Sequence, residues 1–158
     1  MKEKLKLLIA AVRRQLDKMN QSASELHSYL NSGIDLENPD NAQKGAIGYY
    51  LHNLYNGAEN IFFLIAKTFE NNIDPDQGHR SMLTQMSLEI QDIRPRVIDE
   101  ELATLLDDFR GFRHVFRHTY SFELDWSREK LVVDKLPRTI KLFNDQLEGF
   151  IEKLEKSA

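Results

Sequence analysis

Apolar residues recur at every third or fourth position along most of the chain, which is the pattern of amphipathic helices. The first such segment predicts a helix over Lys2–Leu30, and its apolar positions are Leu5, Leu8, Ile9, Val12, Leu16 and Met19. A second helix is predicted over residues 41–70, with Ile47, Leu51, Leu54, Ala58, Ile61, Phe62, Ile65 and Phe69 at the same spacing. The stretch NSGIDLENPDNAQKG between them is rich in Gly, Pro, Asn and Asp and predicts a loop.

Three more helices are predicted in the second half of the chain, over residues 81–91, 99–118 and 127–156. Pro95 ends the first of these, because proline lacks an N–H donor and disfavours helix in the residue before it. Pro137 lies inside the last one and predicts a kink or a split there. No strand-like alternation lasts beyond a few residues. We therefore expect one all-α bundle of four to five main helices, kinked at Pro137, that forms a single domain over residues 1–158.

Composition narrows the class of protein without identifying it. A chain of 158 residues with 41% hydrophobic residues is the size of one domain with one core. It contains no cysteine, which excludes disulfides and thiolate metal sites and fits a reducing interior. No apolar run approaches the roughly 20 residues that cross a bilayer. The N-terminal MKEKLKLLIAAVRRQ keeps helical spacing, which indicates a helix rather than a signal peptide. We expect a cytoplasmic protein with no membrane partner.

The net charge of −4, from 21 Lys and Arg against 25 Asp and Glu, argues against sequence-independent binding of nucleic acid by the whole surface. An anion site would have to be built locally from a cluster of basic residues. The densest cluster is FRGFRHVFRHTY, residues 109–120, which holds three arginines, two histidines and a tyrosine.

On a helix that advances about 100° per residue, the five basic side chains of this stretch fall on one arc of roughly 140°. They are Arg110, Arg113, His114, Arg117 and His118. Phe109, Phe112, Val115 and Phe116 fall on the opposite side. Tyr120 would lie at the Arg113 edge of the basic arc if the helix persisted that far. The pattern predicts that one face packs into the bundle while the other presents Arg and His.

A solvated helix face that happens to be basic is the simpler interpretation. Two observations favour an anion site instead. Like charges three and four residues apart repel one another on a helix. Hardly any acid is interleaved between Arg110 and Tyr120, whereas a solvated helix usually alternates signs. Phosphate is the natural partner, because the arginine fork matches its oxygens bidentately.

A metal site is the second alternative, because His114 and His118 form H-x-x-x-H. The motif lacks the Glu of H-E-x-x-H, and the adjacent arginines would oppose a dication. The sequence also has no Gly-rich phosphate loop, no G-x-S-x-G and no cysteine nucleophile. We therefore expect neither a metal nor another cofactor.

What remains is a His/Arg site of a kind that suits phosphodiester transfer within RNA. A histidine removes the 2′-hydroxyl proton, the oxygen attacks the neighbouring phosphorus, and a cation stabilises the oxyanion that develops. Histidine suits this task because its pKa lies near neutrality.

Arg113-x-x-x-x-His118 resembles the R-x(4–6)-H motif of HEPN domains, which are all-α nucleases common in prokaryotic defence systems. The longer string RHVFRHTYSFELD is similar to the HepT-like branch, in which the histidine is followed by x-Tyr. HNLYNGAENIFFLIAKTF resembles the second helix of that branch, with an acidic residue at Glu59. HRSMLTQMS, RPRVID and KLPRTIKLF extend the similarity, which covers the chain from about Leu51 to the C-terminus.

The resemblance implies a HEPN-type bundle that acts as the toxin of a type VII (HEPN/MNT) toxin–antitoxin system. The implied activity is metal-independent endoribonuclease cleavage that leaves a 2′,3′-cyclic phosphate, with Arg113 and His118 as catalytic residues. The implied assembly is a homodimer whose two motifs face a shared cleft, or a larger hetero-oligomer with the antitoxin. That antitoxin would be a minimal nucleotidyltransferase (MNT), which neutralises the toxin by AMPylation of Tyr120.

The other candidate residues would support the site. Arg110, His114 and Arg117 would hold RNA, although His114 stands where the family often has Asn or another polar residue, so its role stays open. Glu59 lies in an apolar helical stretch and would orient a nearby arginine, either Arg113 or Arg110. The remaining histidines, His27, His52 and His79, are interpreted as ordinary surface or core histidines.

Two other classes of function fit the same helices. The first is a non-catalytic module that binds nucleotide or substrate for a nucleotidyltransferase. The second is a structural helical adaptor with no anion site. Loss of RNA cleavage with retained nucleotide or partner binding would favour the first, and indifference to substitution of Arg113 and His118 would favour the second.

Overall fold

The computed structural model of the chain describes residues 2–70 and 79–157, and this part contains five α-helices and no strand. The helices are α1 (Lys2–Leu30), α2 (Asn41–Phe69), α3 (His79–Met86), α4 (Glu100–Arg117) and α5 (Trp126–Ser157), and a short 3-10 turn (Ser121–Glu123) precedes α5. An isolated bridge pairs Ile90 with Arg94. The prediction of an all-α bundle is confirmed.

Side-chain caps fix the starts of two helices. At α2 the Gln43 backbone N–H donates to Asp40 Oδ1 at 2.8 Å, and the Asp40 N–H donates to Gln43 Oε1 at 2.9 Å. At α4 the Leu102 N–H donates to Asp99 Oδ1 at 2.8 Å. Such caps satisfy N–H groups that have no partner within the helix, and each contributes about 1 kcal/mol. Both starts are therefore encoded locally.

The predicted extent of the third helix, residues 81–91, is wrong, because α3 ends at Met86. The reason is Arg94, whose side chain is buried beyond the helix end. Its guanidinium donates to the carbonyls of Gln85 and Leu88 at 3.0 and 2.9 Å. It also donates through Nε to Glu70 Oε1 at 2.7 Å. These bonds satisfy carbonyls at the end of α3, so the chain leaves the helix early.

The last helix is continuous from Trp126 to Ser157 with Pro137 inside it, so the predicted alternative of a split helix is wrong. Pro137 is exposed, and its missing N–H donor therefore falls on the solvent side of the bundle. The buried positions of α5 recur on one face on both sides of the proline. This packing holds the two halves in one helix.

The core is shared by all of the long helices. Its largest fully buried side chains include Phe62, Phe143, Phe150, Leu26, Ile47, Leu51, Ile61 and Leu102. Phe62 of α2 meets Phe143 of α5 with ring centroids 5.9 Å apart. Gly57 lets α1 approach α2 closely, since a Cβ there would collide with the Met19 side chain. The central position of α2 follows from these contacts.

Among the residues whose burial is described, one acidic residue is buried. Glu129, in the first turns of α5, is fully buried, and within the described part of the chain neither carboxylate oxygen has a hydrogen-bond partner. Burial raises the pKa of Glu129 to about 8, while Lys44 acts in the opposite direction. A neutral carboxyl is therefore the form that the fold accommodates near neutral pH.

This burial predicts a stability that falls as pH rises. The folded state keeps the Glu129 proton between about pH 4.5 and about pH 8, whereas the unfolded chain has released it. The free energy of unfolding should therefore decrease across that range, by up to a few kcal/mol. We expect Glu129→Gln to remove most of this slope, measured by urea unfolding at several pH values. The matched control, Glu148→Gln at an exposed position of α5, should keep the wild-type slope, and equal slopes in all three proteins would contradict the prediction.

Candidate functional site

Arg113 is the centre of the site and is only 4% exposed. Its Nη1 donates to Asn56 Oδ1 at 2.7 Å, and its Nη2 donates to Glu59 Oε2 at 3.0 Å. The guanidinium carbon lies 4.5 Å from the centroid of the Tyr55 ring. The ion pair with Glu59, the hydrogen bond to the Asn56 side chain and the cation–π contact with Tyr55 thus hold the Arg113 guanidinium in a single orientation.

Glu59 accepts from Arg113, whereas Arg110 pairs elsewhere, so the structure selects Arg113 of the two arginines that the sequence offered as partners. Burial and the adjacent Glu59 raise the pKa of Tyr55, against the opposing influence of Arg113 and Arg110. Tyr55 therefore stays a neutral ring beneath the cation.

Sequence reasoning missed His52, which joins the same cluster. Its Nε2 lies 3.0 Å from Asn56 Nδ2, and its ring centroid lies 5.8 Å from that of Phe116. Its Nδ1 is buried without a hydrogen-bond partner in the described part of the chain. Burial, and then the charges of Arg113 and Arg117, lower the pKa of His52. The available signal was spacing, since His52, Tyr55, Asn56 and Glu59 stand at i, i+3, i+4 and i+7 on α2.

Gly48 brings α4 close enough to α2 for these contacts. A Cβ at this position would lie 2.7 Å from Phe116 Cε2 and 3.3 Å from Phe112 Cζ. The two phenylalanine rings stack on each other with centroids 5.8 Å apart. The aromatic side of α4 therefore rests directly on the α2 backbone, one turn before His52.

The two histidines of the cluster are exposed to solvent, in contrast to the buried Arg113. His114 and His118 are both exposed, and their rings meet edge to face with centroids 5.0 Å apart. The His118 backbone N–H donates to the Val115 carbonyl at 3.1 Å, which makes His118 the C-cap of α4. The negative end of the helix dipole favours positive charge at this position. Arg117 is exposed beside them.

The predicted basic arc is wrong in one respect. Arg113 faces inward rather than outward, while Val115 from the predicted apolar side is 48% exposed. The reason is that α2 supplies a carboxylate, an amide oxygen and an aromatic ring that together satisfy the guanidinium. The exposed basic group therefore consists of His114, Arg117 and His118.

Charge balance differs from the prediction as well. The sequence shows hardly any acid after Arg110, but Asp107 precedes it by one turn, and Arg110 Nε donates to Asp107 Oδ1 at 2.7 Å. Arg113 is paired with Glu59 across two helices. Within residues 2–70 and 79–157, Arg117 makes no ion pair. The self-repulsion expected for this cluster is therefore partly relieved by acids outside it.

Tyr120 lies beyond the end of α4, so the condition for its place on the helical arc, a helix that persists to residue 120, is not met. It is 72% exposed and has extended backbone geometry at the start of the 3-10 turn. Its ring stacks on that of Phe122 with centroids 5.5 Å apart and an interplanar angle of 5°. Phe122 is 67% exposed. The tyrosine hydroxyl is thus carried on a surface turn two residues after His118.

Arg110 lies apart from the exposed residues His114, Arg117 and His118. It lines a groove of about 670 Å³ between α4 and the start of α5, together with Val115, Thr119 and Leu131. Arg113 and His118 do not line this groove. The structure therefore brings Arg113 together with Glu59, and His114 together with His118, and places Arg110 beside α5.

Among residues 2–70 and 79–157, no three His, Asp or Glu side chains converge as a set of metal ligands. The helices of the same part include none that is both long and apolar enough to cross a bilayer. His79, interpreted from the sequence as an ordinary histidine, has a side chain outside the described set.

A family model described as HepT-like protein matches residues 46–154. The chain belongs to the HepT-like protein family. The matched span runs from the first turns of α2 to the end of α5, so it contains every site residue discussed above. The sequence resemblance to this branch is thereby confirmed. Neither the curated proteins nor the solved structures include a significant match.

The buried ion pair of Arg113 with Glu59 predicts that two acidic residues, Glu59 and Asp107, contribute differently to the stability of the fold. Glu59→Ala leaves Arg113 in the interior without its carboxylate, and we expect a loss of about 3 kcal/mol in the free energy of unfolding. Asp107→Ala breaks a partly exposed pair with Arg110 and should cost less than about 1 kcal/mol. Urea unfolding of both variants measures the difference. Equal losses would show that the Arg113 pair contributes no more than a surface pair.

Proposed function

We propose that this HepT-like protein is a metal-independent endoribonuclease toxin of a HEPN/MNT system. Two features of one helix carry the proposal: Arg113 is held in a fixed orientation, and His118 is exposed at the helix end. Arg113 and His118 have the R-x4-H spacing, and the chain belongs to the HepT-like protein family.

His118 would act either as the base that takes the 2′-hydroxyl proton or as the acid that protonates the leaving 5′-oxygen. Removal of the 2′-hydroxyl proton lets the 2′-oxygen attack the adjacent phosphorus, the P–O5′ bond breaks, and the leaving oxygen takes a proton from an acid. The products are a 2′,3′-cyclic phosphate and a 5′-hydroxyl. Arg113 would stabilise the negative charge that develops on the phosphoryl oxygens. Because Glu59, Asn56 and Tyr55 already orient it, this stabilisation needs little reorganisation.

A homodimer would complete the site. Transphosphorylation uses both a base and an acid, and two copies of His118 facing one cleft supply both. His114, Arg117 and His118 of each copy would also combine into a positive groove for RNA, which a chain of net charge −4 lacks over its surface as a whole. Arg110 would contribute at the edge of this groove.

Tyr120 would be the point of control. Transfer of AMP from ATP to its hydroxyl forms a phosphodiester and releases pyrophosphate. The 72% exposure of Tyr120 supports access by a nucleotidyltransferase antitoxin. The added nucleotide places bulk and negative charge two residues from His118, which would exclude RNA by sterics and repulsion. The antitoxin and the toxin dimer would associate as a larger complex.

The cleavage prediction is tested with purified protein in excess EDTA. We expect wild type to generate 2′,3′-cyclic phosphate ends, and His118→Ala and Arg113→Ala to lower the rate by about 100-fold or more. His27→Ala is the matched control, since His27 is exposed on α1 outside the cluster and should keep the wild-type rate. Circular dichroism and unfolding curves verify that each variant is folded.

Absence of cleavage by a folded, unmodified dimer across varied RNAs would reject the nuclease. Retained binding of nucleotide or of a nucleotidyltransferase would then establish the non-catalytic binding subunit. Cleavage that persists in His118→Ala would reject the assignment of that residue.

The modification prediction uses two exposed tyrosines. Incubation with an MNT-type nucleotidyltransferase and ATP should add adenylyl groups to wild type and to Tyr49→Phe, and none to Tyr120→Phe. Tyr49 is the matched control because it is 59% exposed on α2, against 72% for Tyr120. Intact-mass spectrometry measures the addition. Labelling of Tyr120→Phe at the wild-type level would place the modification elsewhere.

A further inference from the structure

The hydrogen bonds around Asn56 have a defined direction. A guanidinium has N–H donors and no acceptor, so the Asn56 atom that faces Arg113 Nη1 must be Oδ1. The amide nitrogen then points to His52 and donates to Nε2 across 3.0 Å. A ring nitrogen that accepts carries no proton, so the His52 proton is on Nδ1. The donor-only character of arginine thus fixes an amide orientation and a histidine tautomer.

We propose that His52 is a positioning residue for Arg113, acting through the Asn56 amide as the neutral Nδ1–H tautomer. The proposal rests on the function proposed above, because positioning matters only if Arg113 meets a phosphate. His52 touches no reacting atom in this scheme.

The amide of asparagine has two orientations that differ by exchange of oxygen and nitrogen. Only the orientation with Oδ1 toward α4 bonds Arg113. A neutral His52 selects it, because its acceptor nitrogen binds Nδ2 and would face an oxygen unfavourably if the amide were reversed. Phe116 packs against the imidazole at 5.8 Å between ring centroids and fixes the ring that makes this selection.

Protonation of His52 would reverse the selection. An imidazolium donates from both nitrogens, so Nε2–H would face the Asn56 NH2 group, and the amide would rotate to accept from it. Asn56 Nδ2 would then face Arg113 Nη1, donor against donor. Arg113 would keep its contacts with Glu59 and Tyr55 but lose its hydrogen bond to the Asn56 side chain. One of the restraints on its orientation would be gone.

The surroundings of His52 determine whether it becomes protonated above or below neutral pH. From α4 it is faced by Arg113 and Arg117, and along its own helix the titratable groups of the cluster are Tyr55 and Glu59. Burial and the two arginines lower the pKa of His52 from 6.5. The neutral form, and the stability that it confers, are therefore present above pH 6.5 and are lost as pH falls through the lowered pKa. Arg113 is held firmly at neutral pH and loosened in acid.

Two substitutions separate the parts of this scheme. His52→Gln keeps an acceptor near the Nε2 position and does not titrate. His52→Phe keeps an aromatic ring against Phe116 and removes the acceptor. His27→Gln, at an exposed position on α1, is the control for adding the same amide elsewhere.

The first measurement does not depend on nuclease activity. In ¹⁵N-labelled protein at neutral pH, imidazole spectra should show His52 protonated at Nδ1 only. The Arg113 side-chain N–H signals should be sharp in wild type and His52→Gln, and should broaden or exchange faster in His52→Phe. An Nε2–H tautomer in wild type, or Arg113 signals unchanged in His52→Phe, would overturn the proposal whether or not the protein cleaves RNA.

The second measurement is the pH profile of cleavage. We expect His52→Phe to lower kcat by up to about 100-fold with little change in KM, since a displaced Arg113 weakens the transition state more than the bound substrate. His52→Gln should retain wild-type kcat at neutral pH and lose one protonation from the acid limb. A wild-type acid limb in His52→Gln would overturn the pH dependence. An absence of cleavage in every protein would reject the nuclease, and the spectra would then decide the role of His52 alone.

Discussion

The burial of Arg113 between α2 and α4 is the interaction on which the rest of the site depends. A guanidinium is stable inside a protein only if its charge and its N–H donors are satisfied. Glu59, Asn56 and Tyr55 meet this requirement from one face of α2. The same requirement fixes the rotation of α4 about its axis, and the rotation turns its last residues outward.

That rotation divides the basic residues of α4 into two roles. Arg113 becomes a fixed internal cation, whereas His114, Arg117 and His118 stay exposed at the helix end. The proposed nuclease would use both kinds of group, since a rigid charge stabilises the transition state and an accessible imidazole exchanges protons with solvent and substrate. In the proposed function, this arrangement would give an acidic chain a local site for an anion without a basic surface.

Buried ionisable groups are accommodated in two opposite ways in this fold. Arg94 and Arg113 each have a carboxylate and further acceptors within hydrogen-bond distance. Glu129 has no such partner in the described part of the chain, and burial raises its pKa to about 8. An arginine cannot lose its proton and so must be paired, whereas a carboxyl can remain neutral.

The sequence by itself determined most of the helices, because the period of the apolar residues, the caps at Asp40 and Asp99 and the breaks that contain Pro39 and Pro95 are local properties. It also determined the family, through the residues around the R-x4-H motif. Only the tertiary structure decided which basic residue is buried, where α3 ends, and that His52 contacts the Asn56 side chain that holds Arg113. Each of these three features depends on a side chain whose partner lies on another helix or loop. The residue pattern along a single helix does not predict that partner.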